Sequence, residues 1–164
     1  MDAFPHRAGP RPTTTSVNPH SQTDQQPADD RYLTAVLDDA ATWPDVLRGE
    51  SGISVEGARA LTLADDVPGG PAEAFMVGRE FGHGHAQGDH SLHLTLPLDV
   101  VAPVEAAGWV EPHFLVLSGR LPRTHVMLYA PRDEAEVAVA LRIVRASYEF
   151  ACTATATTDA LIAE

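Results

Sequence analysis

Residues 80–96, EFGHGHAQGDHSLHLTL, constrain the fold more than any other stretch of the chain. The two ends alternate apolar and polar side chains, which is strand periodicity, and the middle, 86–89, carries turn residues. The stretch therefore reads as a β-hairpin. A four-residue loop at 86–89 sets His85 opposite His90, His83 opposite Leu92 and Phe81 opposite Leu94. Cross-strand partners share a face, so Phe81, His83, His85, His90, Leu92, Leu94 and Leu96 are expected together. Glu80, Gly82, Gly84, Ser91, His93 and Thr95 then fall on the other face. A one-residue slip would send one strand's side chains across the sheet. The pairing of His83 with His85 survives such a slip, because it depends only on the two-residue strand period.

The flanking sequence supplies the remaining elements. Residues 30–42 carry a helical stripe at Tyr32, Leu33, Val36, Leu37 and Ala40, closed by Trp43-Pro44. Short strands are expected at 53–56, 72–77, 114–117 and 124–129, with a further candidate at 58–63. Pro103 fits the first turn of a short helix reaching to 107, with Gly108 as its C′ residue. A long helix follows Pro131, with Val137, Leu141, Val144 and Tyr148 as its stripe. Together these define an α+β class and a two-layer domain, an antiparallel sheet with a central histidine-rich hairpin packed against N-terminal and C-terminal helices. The segment 1–27 is rich in Pro, Thr and Gln and poor in bulky apolar groups. It reads as a disordered tail, and its His6 and His20 would reach a site only if it folded back. The single domain then spans 28–150, and 151–164 form a C-terminal extension.

Composition narrows the partners. The net charge of −12 from 23 acidic and 11 basic residues opposes binding to a phosphate backbone or an anionic membrane surface. No nucleic acid or membrane partner is expected. A small-molecule ligand fits, and a protein partner stays open. Cys152 is the single cysteine, which leaves no internal disulfide and fits a cytoplasmic location. The sequence names no cofactor.

Three motifs in order give a resemblance over roughly residues 40–150. They are His83-x-His85 followed by Leu92-His93-Leu94, then Gly108-Trp109-x-Glu111-x-His113, then Tyr129-Ala130-Pro131-Arg132-Asp133-Glu134-x-Glu136. The pattern resembles the "luciferase domain" family of bacterial and fungal proteins, whose function is largely uncharacterised. The resemblance supplies no catalytic residue to carry over. It also differs from the flavin-dependent bacterial luciferase barrel, a fold of about 250 residues.

The chemistry follows from residue types. His83 and His85 project the same way and can share a metal ion, with His113 or His90 as a third ligand. Without a metal, His85 and His113 suit proton transfer near neutral pH, with Glu111 polarising an imidazole. These three are the candidate catalytic residues. Trp109 and Arg132 are the candidate substrate-binding residues, the latter receiving an anionic group at a helix start. Structural readings stand beside them: Trp109 as core, Arg132 bridging to Glu136, and His93 and His125 as hydrogen-bonded sheet residues. The chain is expected to be an enzyme-like domain that acts on or binds a small organic molecule, the alternative being a non-catalytic binding or interaction module.

Overall fold

The computed structural model describes residues 3–154. Six antiparallel strands form one sheet, β1 (Val46–Glu50), β2 (Arg59–Leu63), β3 (Glu80–Gly84), β4 (Leu92–Thr95), β5 (Val110–Pro112) and β6 (His125–Leu128), in the order β1-β2-β3-β4-β6-β5. Helices α1 (Arg31–Ala40) and α4 (Glu134–Cys152) pack together on one face. α2 (Leu98–Ala106) and the single-turn α3 (Phe114–Leu117) connect the strands. This is the expected α+β architecture, and among the described residues the sheet does not close into a barrel.

Helix α1 buries Leu33, Val36, Leu37 and Ala40, a stripe at helical spacing. Helix α4 starts at Asp133, whose carboxylate accepts the Glu136 N–H at 2.8 Å. Val137, Ala140, Ile143 and Val144 of α4 then join Leu61, Leu63, Phe81, Leu92 and Leu94 of the sheet in one core. The helical layer sits close over the hairpin. A Cβ on Gly84 would lie 2.7 Å from Leu33 Cδ1, so glycine is needed there for α1 to approach.

Several boundaries differ from the sequence reading. Residues 53–56 are a bend, and the edge strand is β1. Residues 72–77 hold a 3₁₀ turn, Ala72–Ala74. α2 begins at Leu98 and runs through Pro103, because Val100, Val101 and Val104 gain burial along that face. Gly108 follows α2 with φ of +84°, the left-handed C′ conformation. The apolar run 114–117 is α3 and not a strand, since the His113 imidazole accepts the Leu115 N–H at 3.2 Å and caps a helical turn. Residues 155–164 of the expected C-terminal extension lie outside the described residues, and residues 151 and 152 close α4.

The hairpin is present, but its register is shifted by one residue. His83 pairs with His93 and Gly84 with Leu92, and the His85 N–H donates to the Ser91 carbonyl at 3.0 Å. The loop is therefore 86–90, with Gln87 and Gly88 both at positive φ. The slip moves His93 onto the face of His83 and His85 and sends Leu92 and Leu94 into the helical core. A bulge repairs the other strand: Glu80 pairs with Thr62 and Gly82 with Leu61, leaving Phe81 without a partner on β2. Phe81 turns to the helices, its ring 6.2 Å from that of Tyr148. Glu80, expected on the opposite face, joins His83 on the histidine face through the same bulge.

The assignment of a disordered tail is corrected for residues 3–27, the described part of it. Residues 3–27 pack on the domain: Phe4 lies under Arg142 of α4 and against the helical core, Arg11 and His20 reach Glu111 on the opposite face of the sheet, and Arg7, His20 and Gln22 are buried. The Trp109 indole donates to the Pro5 carbonyl at 2.6 Å, and the Ala130 N–H donates to the Gln22 side chain at 2.9 Å. Thr15 and Thr23 donate backbone N–H groups to Ser21 and Thr13, folding the segment into its own turn. Low apolar content predicts disorder only when burial is the sole source of order. Here Gln22 and Gln26 satisfy the backbone N–H groups of Ala130 and His90, Thr15 and Thr23 satisfy carbonyls of the segment itself, and Arg11 bonds Glu111.

Candidate functional site

One cross-strand row, Glu111–Met127–His93–His83, runs across β5, β6, β4 and β3 on the face away from the helices. His85 flanks it one strand pair further along, and His125 pairs with Thr95. His20 enters from the N-terminal segment and stacks on His93 with ring centroids 5.3 Å apart. His113 closes the group, 4.7 Å from His93 and 4.8 Å from His20. These rings and His125 line a cavity of about 650 Å³. Its walls are Ile53, Val55, Met76, Phe114, Leu115 and Leu121, and Arg120 also lines it.

Carboxylates hold the outer nitrogens of three rings. His83 Nδ1 lies 2.7 Å from Glu80, His85 Nδ1 lies 2.7 Å from Asp89, and His20 Nε2 lies 2.9 Å from Glu111. Each carboxylate is fixed in turn. Glu80 accepts from the Ser51 hydroxyl and the Gly52 N–H, and Asp89 accepts from the Ser91 hydroxyl and N–H. Glu111 accepts from Tyr129 at 2.8 Å and from Arg11. A carboxylate only accepts, so each anchored ring donates from that nitrogen and, when neutral, turns the lone pair of its other nitrogen inward.

The electrostatics agree with this pattern. Burial pushes Asp89 and Glu111 up, but the hydrogen bonds they accept outweigh it and hold both at about 2. Burial, with His85 as a like-charged neighbour, pulls His83 down despite Glu80. His93 is drawn well below the usual range by burial and then by His85, His83, His113 and His20. Burial and His20 lower His113 to about 4. The last two rings are therefore neutral at pH 7.

Two histidine triads place one nitrogen from each member within 4.8 Å of the others: His83, His85 and His93, and His20, His93 and His113. The expected metal set of His83, His85 and His113 is thus split, with His93 central to both groups. His90 lies apart, in a separate surface depression with Gln87 and Arg59. The expected substrate residues also lie elsewhere. Trp109 is in the core and bonded to Pro5, because α2 and the N-terminal segment enclose it. Arg132 is tied to Glu136, Gln25 and the Ala8 carbonyl. Glu111 stands behind His20 and does not line the cavity. His93 was legible only through the one-residue register, and His20 gave no local signal at all.

Fold and site together define a two-layer α+β domain with a histidine–carboxylate cluster beneath a cavity. The luciferase-domain family model matches residues 78–147 of the chain. It is similar to proteins named luciferase from three Armillaria species. Identity to the Armillaria ostoyae protein is 32% over 160 residues, covering 88% of this chain and 59% of the relative. The proteins of Armillaria mellea and Armillaria gallica are each 31% identical, with the same coverage. The chain thus spans 59% of the length of these relatives. No solved structure matches. Among the described residues, no helix is long and apolar enough to cross a membrane.

Proposed function

We propose that this chain is an enzyme-like domain that binds and acts on a small organic molecule in the histidine-floored cavity. The observation that carries this reading is the meeting of opposite surfaces in one concavity. Six imidazoles supply its polar lining, and aliphatic and aromatic side chains form the walls. A volume of about 650 Å³ is within the usual range for a small-ligand site. The name of the relatives, luciferase, belongs to an enzyme, which favours catalysis over passive binding. A non-catalytic module would call for an exposed apolar sheet face, but here the stretch around Ser16–His20 lies over that face.

Roles follow from chemistry. The apolar walls take the body of the molecule. Arg120, and not Arg132, is placed to meet an anionic group at the cavity. His113 accepts the Leu115 N–H at Nδ1, so its neutral form carries its proton on Nε2. It acts as a neutral hydrogen-bond donor to the ligand, because its lowered basicity makes it a poor proton acceptor at pH 7.

Ligand-observed NMR with a panel of small planar carboxylates and phenols tests the reading. Saturation transfer to some members is expected, and Val55→Trp at the wall should abolish it. Arg120→Ala should weaken the carboxylates alone, by about 1 kcal/mol or less for an exposed pair. Binding that Val55→Trp leaves intact would put the ligand elsewhere and defeat the proposal.

A further inference from the structure

His93 faces an imidazole nitrogen on each side. Its Nδ1 lies 3.2 Å from His85 Nε2, and its Nε2 lies 3.2 Å from His20 Nδ1. Asp89 and Glu111 fix those neighbours with a proton outward, so in their neutral forms both turn lone pairs toward His93. Neutral His93 carries one proton and satisfies one side only. On the other side two lone pairs meet. Close by, His83 Nε2 is buried with no hydrogen-bond partner, while its Nδ1 is held by Glu80. The ring is only 2% exposed. An orphaned buried nitrogen and an unbalanced lone pair thus fall in the same triad.

We propose that His83, His85 and His93 are the ligands of a divalent first-row transition-metal ion, bound through His83 Nε2, His85 Nε2 and His93 Nδ1, with a coordination position open to the cavity. A cation there removes both defects at once. His83 and His85 direct lone pairs to the ion and N–H groups to Glu80 and Asp89. His93 gives Nδ1 to the ion and Nε2–H to His20, which passes its own N–H to Glu111. Every ring is then neutral and satisfied, in the carboxylate–histidine–metal pattern. Tetrahedral ligands at about 2.0–2.1 Å from zinc stand about 3.3 Å apart, close to the His85–His93 separation. An added proton would instead place a charge among rings that are almost fully buried. Imidazole donors select zinc, cobalt, nickel, copper or iron over magnesium or calcium. His113 is excluded from the ligand set, because its neutral form keeps the proton on Nε2 while Nδ1 caps α3. His20 is a positioning residue that orients His93 from the N-terminal segment. This site stands independently of the organic molecule the cavity takes.

Tag-free full-length protein, stripped with a chelator, should be titrated calorimetrically with Zn²⁺ and spectroscopically with Co²⁺. About one ion per chain is expected, with cobalt visible bands of a low-coordinate nitrogen site. His83→Gln and His93→Gln should abolish binding while circular dichroism stays native. His113→Gln should leave the affinity within about threefold. His20→Ala should weaken it roughly 10–100-fold without changing the stoichiometry, as loss of an outer partner does. No binding of either ion would overturn the site, as would equal binding by His83→Gln, or a loss in His113→Gln matching that in His93→Gln. The Val55→Trp-sensitive binding of organic ligands is read in the same stripped protein. Failure of the metal site and failure of the cavity reading are thereby separated.

Discussion

Glu111→Ala should destabilise the protein by about 3–5 kcal/mol, the usual range for removing one partner of a buried charged network. Glu111 is 3% exposed and is the common acceptor for His20, Tyr129 and Arg11. Arg11 is largely exposed and can turn to water. The buried His20 ring and Tyr129 hydroxyl cannot, so most of the cost falls on them. Glu111→Gln keeps an acceptor oxygen but loses the charge, and should lie between Ala and wild type. The pH dependence has a definite sign. Glu111 titrates at about 2 in the fold, below its ordinary value of 4.5. Its contribution is full above about 4.5 and fades as pH falls toward 2. The gap between wild type and Glu111→Gln should therefore narrow across that interval. Urea unfolding measures both effects. A loss under about 1 kcal/mol for Glu111→Ala would mean that the network is not intact.

Deleting residues 1–27 should be as severe, costing at least about 4 kcal/mol, in the range reserved for loss of buried networks. The deletion removes His20, Arg11 and Gln22 together. It frees the Ala130 N–H and the Trp109 indole and opens one side of the cavity. In the intact chain, the Thr15 and Thr23 amides should show slowed hydrogen exchange, since each is bonded within the segment. Unprotected amides there, with a truncated chain of unchanged stability, would show that the segment is not part of the packed structure.

Much of the layered fold is legible because it rests on local periodicity. The α1 stripe at Leu33, Val36, Leu37 and Ala40 and the α4 stripe through Val137 and Val144 repeat at helical spacing. The hairpin is equally plain, and so is the shared face of His83 and His85. Its register is not, because loops of four and five residues around Gln87-Gly88 have the same turn chemistry. That one residue decides whether His93 belongs to the core or to the site. The bulge at Phe81 is likewise invisible to alternation, since it depends on pairing with β2. His20 reaches Glu111 across 91 positions of chain, and no spacing rule operates at that range. Trp109 and Arg132 stand in motifs near the site residues in sequence, yet their bonds lead to Pro5 and Glu136. Proximity along the chain overstated their part in the site.

Carboxylates orient buried imidazoles so that, in the neutral rings, lone pairs converge at the cavity floor. Long-range ¹H–¹⁵N NMR of the histidine rings in metal-free protein at neutral pH reads this directly, because it reports which nitrogen carries the proton. The expected result is Nδ1–H for His83 and His85 and Nε2–H for His20 and His113. Nε2–H on His83 or His85 would turn a proton to the cavity floor where a lone pair is required, and would contradict the account.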